Sequence, residues 1–228
     1  MMSGGRRAVV RVVLAVGIGA SATSASPVVA SPGEAWPFAA YTSTGSETCT
    51  PSGPLGAVES DAWEELERLG SLGLPVCDVV WTFHRGAVYT GWDWTGWALP
   101  RFSDEDPRPG VWIEADIEDH VTPGPQGVDA DRLTQEVRSL VRHEFAHALT
   151  YLLGADEPDK DAAALLDLFP GRLENDPTRP GFEAAAEAIA EELTPLGEVR
   201  VWYYDEEISP GNAAHAREML ALVDGYRG

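Results

Sequence analysis

Apolar positions recur along this chain in two rhythms. Between residues 59 and 70, Ala62, Trp63, Leu66 and Leu69 follow Glu59 at three- and four-residue spacing, and Gly70 ends the run, which predicts a helix. The β-branched and aromatic stretch from Pro75 to Phe83 predicts a strand. Residues 84–102 set Trp92, Trp94 and Trp97 among Gly and Thr, as in a hairpin. Over residues 111–117, Val111, Ile113, Ala115 and Ile117 alternate with Trp112, Glu114 and Asp116, the period of a half-buried strand.

After a Pro/Gly loop the rhythm becomes helical. Residues 129–153 form the longest periodic run, with Asp129 or Asp131 to cap it and Gly154 to end it. A short helix is expected over 161–168, stopped by Pro170 and Gly171, and another over 182–193, stopped by Pro195. Residues 199–204 suit a last strand, and 212–223 a last helix preceded by Pro210 and Gly211. A helix, then strands, then helices is the order of an α+β domain.

The segment before this domain reads as an address. Arg6, Arg7 and Arg11 flank the apolar run 12–20, and small residues follow, which is the order of a secretory signal peptide. Cleavage is expected after Ala22, Ala25 or Ala30. Residues 31–58 are rich in Ser, Thr, Gly and Pro and read as a loose arm. The expected organisation is a signal peptide over 1–30, the arm over 31–58 and one domain over 59–228.

Composition narrows the partners. The 228 residues carry 37 acidic against 16 basic groups, a formal charge of −21. Nucleic acid is excluded as a partner because no basic surface is available to neutralise phosphates. No apolar run reaches 18 residues, so no membrane span is expected. In an exported chain the two cysteines, Cys49 and Cys77, read as one disulfide. It would close a loop of about 28 residues and stabilise by roughly 3–4 kcal/mol.

The chemistry concentrates in His143-Glu144-Phe145-Ala146-His147, an HExxH motif. On a helix, positions i and i+4 lie one turn apart on one side, so both imidazoles can grip one Zn²⁺. Glu144, about 100° round the helix, can reach a water as general base. Val137, Val141, Phe145, Ala148, Leu149 and Leu152 occupy the opposite side and suit a core.

Here the sequence resembles the zincin metallopeptidases, which carry HExxH on a helix beneath a mixed sheet. The metzincin extension would need Gly at 150 and His at 153, where this chain has Thr150 and Leu153. The gluzincin branch takes its third ligand from a Glu on a later helix. Two windows have that look, Glu183 to Glu187 and Glu187 to Glu191. Phe182, Ala186, Ile189 and Leu193 line one apolar face of this helix. From its centre Glu183 lies about 90° away, Glu187 about 130° and Glu191 about 170°. A ligand between two helices belongs at the edge of the packing face, which selects Glu183. Glu187 then suits a hydrogen bond to a ligand His, or the ligand position itself. Asp156, Asp159 and Asp161 are alternative third ligands.

The resemblance implies a zincin-like α+β domain: a small mixed sheet with an edge strand beside the HExxH helix, and a helical C-terminal part. Residues 111–117 are the candidate edge strand to hold substrate. Tyr203, Tyr204 and His215 are candidates to stabilise an oxyanion, beside ordinary core or surface roles. The tryptophans at 92, 94 and 97 suit hairpin packing or a sugar platform. The implied activity is that of a secreted, monomeric zinc metallopeptidase acting on a peptide or protein. A non-catalytic secreted protein- or carbohydrate-binding module is the rival reading.

Overall fold

The computed structural model describes residues 55–84, 95–114, 130–170, 181–198, 200 and 208–226. Among these the chain forms α1 (Ala57–Ser71), a 3₁₀ turn (Val76–Asp78), β1 (Val80–His84), β2 (Gly96–Leu99) and β3 (Gly110–Glu114). It continues as α2 (Ala130–Leu152), α3 (Asp161–Leu166), α4 (Phe182–Leu193) and α5 (Pro210–Tyr226). Helices beside a small mixed sheet make this an α+β fold, as the element order predicts.

The strand order is β1-β3-β2. β1 runs parallel to β3, from Val80 opposite Gly110 to His84 opposite Glu114. β2 runs antiparallel to it, from Gly96 opposite Ile113 to Leu99 opposite Gly110. The expectation that residues 111–117 form the edge is therefore corrected. Their described part is the central strand, and β2 is an edge among the described residues. Val111 and Ile113 are buried as the alternation requires, but so is Glu114. Trp112 on the second face is half-buried, as the alternation predicts, and stacks with Trp97 at 5.6 Å and with Phe102 at 5.3 Å.

Other boundaries shift for local reasons. The strand expected from Pro75 starts at Val80, because Pro75 leads into the 3₁₀ turn. Trp81 Nε1 donates to the Val76 carbonyl at 3.0 Å and ties that turn to the sheet. α1 begins at Ala57, inside the segment expected as an arm, and Val58 already belongs to the core. α5 starts at Pro210, which suits the first helical position because its missing N–H is not needed there. The 199–204 strand, apart from Arg200, lies outside the described residues, as do residues 85–94 with Trp92 and Trp94.

α2 is the central element. Its apolar side, Val137, Val141, Phe145, Ala148 and Leu149, is fully buried as predicted, with Leu152 partly so. The side bearing the histidines is covered too, because α4 packs on it. α1, β2 and β3 cover the rest. Arg142, wholly buried on α2, has its Nη1 2.7 Å from Glu198 Oε2 and its Nε 3.6 Å from Glu65 Oε1. Arg68 also pairs with Glu65, and its Nη2 donates to the Leu193 carbonyl at 2.7 Å. This network joins α1, α2 and the C-terminal end of α4, and supplies the partners that a buried guanidinium requires.

Gly181 sets how α4 begins. A Cβ there would sit 2.4 Å from the Leu166 carbonyl oxygen, a backbone atom that no rotamer can move. Gly181→Ala should destabilise the protein by about 1–3 kcal/mol, as overpacking typically does. Denaturant unfolding would measure it, and an unchanged midpoint would contradict this placement of the α3–α4 approach.

Candidate metal centre

Helical spacing on α2 sets the His143 and His147 rings edge-on, with centroids 4.7 Å apart. Their Nε2 atoms face each other at 3.1 Å. Glu183, in the first turn of α4, places Oε2 3.4 Å from His143 Nε2 and 3.3 Å from His147 Nε2. Three ligand-type atoms thus form a nearly equilateral triangle. A tetrahedral ion bound at about 2.0–2.1 Å has ligand-to-ligand edges of about 3.3–3.4 Å. The triangle matches that edge, so one divalent ion fits this donor set without rearrangement. Glu183 Oε2 is buried and faces the Nε2 atoms of both imidazoles. Among the described residues this is the one cluster of three with metal-ligating geometry.

The two imidazoles are held by different devices. Glu187, one turn after Glu183, brings Oε1 to 3.2 Å from His143 Nδ1. That is the position of an acceptor that fixes the tautomer and turns Nε2 toward the ion. His147 Nδ1 has no hydrogen bond among the described residues. Its ring lies on Phe182 at 4.2 Å, and Tyr151 packs against Phe182 at 5.0 Å. Thr150 Oγ1 donates to the His147 carbonyl at 2.7 Å and steadies the helix there.

Burial and charge act in opposite directions on these groups. Burial alone would lower the His143 imidazole, but hydrogen bonds to Glu183 and Glu187 and the charges of Glu187 and Glu144 raise it to about 10. Burial would raise Glu183, but the charge of His147 and hydrogen bonds to both histidines hold it well below the usual carboxylate range. Burial pushes Glu144 up, against the pull of the two histidines. Without metal, the His143 contribution to stability is therefore present below about pH 6.5 and lost as the pH rises through about 10. The Glu183 contribution is present above the ordinary carboxylate range and lost as the pH falls below it.

Glu144 is buried, and its Oε2 has no hydrogen-bond partner. It faces β2. A Cβ on Gly96 would come within 3.0 Å of Glu144 Cγ and Oε1 and 2.9 Å of Leu140 Cδ1. The strand main chain thus lies directly against the HExxH helix. A glycine within a strand pattern signals such an approach, and could have been read from the sequence. Arg200, which grips Glu187, carries no comparable sequence signal.

The remaining candidates lie elsewhere. Glu191 is 42% exposed on its side chain and pairs with Arg200, so it is not a ligand here. Asp156, Asp159 and Asp161 are exposed after α2, outside the cluster, and the alternative of an aspartate third ligand is set aside. His215, on α5, packs against Phe169 at 5.8 Å and faces Glu218. Trp97 stacks on Trp112 across the β2–β3 pair, so its strand partner lies at 110–113 rather than within the hairpin expected over 84–102. Tyr203, Tyr204 and Cys49 lie outside the described residues; Cys77 is not a free cysteine.

No protein-family model, curated protein or solved structure matches this chain. Among the described residues no helix is long and apolar enough to cross a membrane.

Two outcomes follow from the geometry. Glu183→Gln should abolish stoichiometric zinc binding, whereas Glu187→Gln should weaken it about 10–100-fold. Metal analysis and chelator competition would measure both, and the reverse pattern would exchange the two roles. Zinc requires a neutral imidazole, and the metal-free site holds a proton on His143 at neutral pH. Binding at pH 7 should therefore release about one proton. Calorimetry in buffers of different ionisation enthalpy reads that number, and zero release would contradict the protonated pair.

Proposed function

We propose that this protein is a secreted zinc metallopeptidase of zincin-like, gluzincin-type organisation. The observation that carries the reading is the triangle of His143 Nε2, His147 Nε2 and Glu183 Oε2, with edges of 3.1–3.4 Å, beside the buried carboxylate of Glu144. A zinc ion bound there supplies an electrophile for the scissile carbonyl and lowers the pKa of water. Two His and one Glu leave one tetrahedral position open, the mark of a catalytic rather than a closed structural site.

Glu144 then has one task. Its partnerless Oε2 accepts the proton of the attacking water and passes it to the departing amine. Burial raises its pKa toward neutrality, which favours both accepting and returning a proton. A structural metal site would have no use for such a carboxylate, which argues against the non-catalytic rival.

Substrate binding is assigned to β2 rather than to residues 111–117. β2 is an edge strand among the described residues, and its Gly96 lies against Glu144. An extended peptide added to that edge through main-chain hydrogen bonds would pass beside the general base. The N-terminal signal pattern supports export, and a Cys49–Cys77 bridge would suit an oxidising compartment.

Glu144→Gln should keep zinc while cleavage of a mixed peptide library falls about 10²–10⁴-fold, the usual share of a general base. Chelation should silence the wild type and zinc should restore it. Undiminished cleavage by the variant would refute the mechanism.

A further inference from the structure

We propose that Arg200 is a positioning residue of the metal centre, acting on His143 through Glu187. The inference rests on the metal centre described above and not on the peptidase activity.

Glu187 divides its two oxygens. Oε1 faces His143 Nδ1 at 3.2 Å, and Oε2 meets Arg200 Nη2 in a direct ion pair. Both side chains of that pair are nearly inaccessible, at 3% and 4% exposure. Arg200 Nη1 reaches Glu191 Oε2 at 3.2 Å, so the guanidinium spans two carboxylates one turn apart on α4. The Glu191 contact is at the surface and adds little, because exposed pairs are screened by water. The buried contact does more. Nη2 holds Oε2 of Glu187 while Nη1 ties the same guanidinium to Glu191, so the Glu187 carboxylate stays turned with Oε1 toward Nδ1.

Glu187 Oε1, held in this way, is the carboxylate oxygen facing His143 Nδ1, while Nε2 is turned toward His147 and Glu183. His147 has no such acceptor and relies on ring contact with Phe182. His143 is thus the imidazole whose Nδ1 is faced by a carboxylate, and Arg200 stands behind that carboxylate. The guanidinium also offsets one of the three carboxylates gathered at the site, Glu144, Glu183 and Glu187.

The test uses the full-length chain with Arg200→Met, Arg200→Lys and Glu187→Gln, and each arginine variant combined with Glu187→Gln. Zinc affinity is read by chelator competition, the cobalt-substituted absorption spectrum reports ligand geometry, and metal-free thermal unfolding controls for folding. Arg200→Met should weaken zinc about 10–100-fold and alter the cobalt spectrum, and Arg200→Lys, which keeps the charge but cannot hold Glu187 and Glu191 together in the same fork, should weaken it less. Neither should cost further affinity once Glu187 is Gln, since the two residues act as one unit. Wild-type affinity in both arginine variants, or an undiminished loss in the Glu187→Gln background, would overturn the proposal. If Arg200→Met does not fold, Arg200→Lys decides by the same two criteria. A wild type that binds no zinc would instead refute the metal centre itself.

Discussion

The face-to-face packing of α4 on α2 is the constraint on which the rest depends. Either helix alone presents half a site. α2 supplies two imidazoles, and α4 supplies the two carboxylates that meet them. α4 can come close because five of its 12 residues are alanine, Ala184, Ala185, Ala186, Ala188 and Ala190, and all five are buried. Small side chains lower the ridge between packed helices and shorten their separation. Larger residues there would lift Glu183 and Glu187 off the histidines and open the triangle. The Arg68, Glu65 and Arg142 network fixes the far end of the same packing through the Leu193 carbonyl and Glu198. Gly181 fixes the near end by letting the chain pass against Leu166.

How much of this was legible in the sequence follows from how local each feature is. His143, Glu144 and His147 are set by spacing on one helix, and that spacing is written in the chain. Glu183 was reachable because a ligand between two helices must sit at the rim of a packing face. The burial of Glu187 was not foreseen on the same wheel, since it arises from a second neighbour of α4, and only the folded chain shows that Arg200 awaits it. The central position of β3 was hidden for a related reason. A strand with Trp112 and Glu114 on one face has the pattern of a solvent face, yet Glu114 is buried and Trp112 packs on Trp97 across the β2–β3 pairing. Contacts that cross the sequence leave little trace in periodicity.

The unequal treatment of the two histidines has a physical logic. A ligand imidazole needs a fixed plane and a fixed tautomer. His143 has the Glu187 carboxylate 3.2 Å from its Nδ1. His147 obtains its plane from the Phe182 ring, which precedes the ligand Glu183 in sequence. One residue step on α4 thus delivers an aromatic support and a carboxylate ligand to the same imidazole. Any shift of the first turn of α4 disturbs both together, which couples the geometry of the ion to the start of one helix.

Electrostatics closes the argument. Two buried carboxylates, Glu144 and Glu187, beside the partly buried Glu183 are costly in a chain already at −21 unless positive charge is placed among them. Without metal, a proton on His143 and the guanidinium of Arg200 supply that charge, which is why the imidazole is raised despite burial. A divalent ion held by His143, His147 and Glu183 would supply that charge in place of the proton, with Arg200 still paired to Glu187. The proton that must leave then links metal affinity to pH through His143, the imidazole with the charged support behind it.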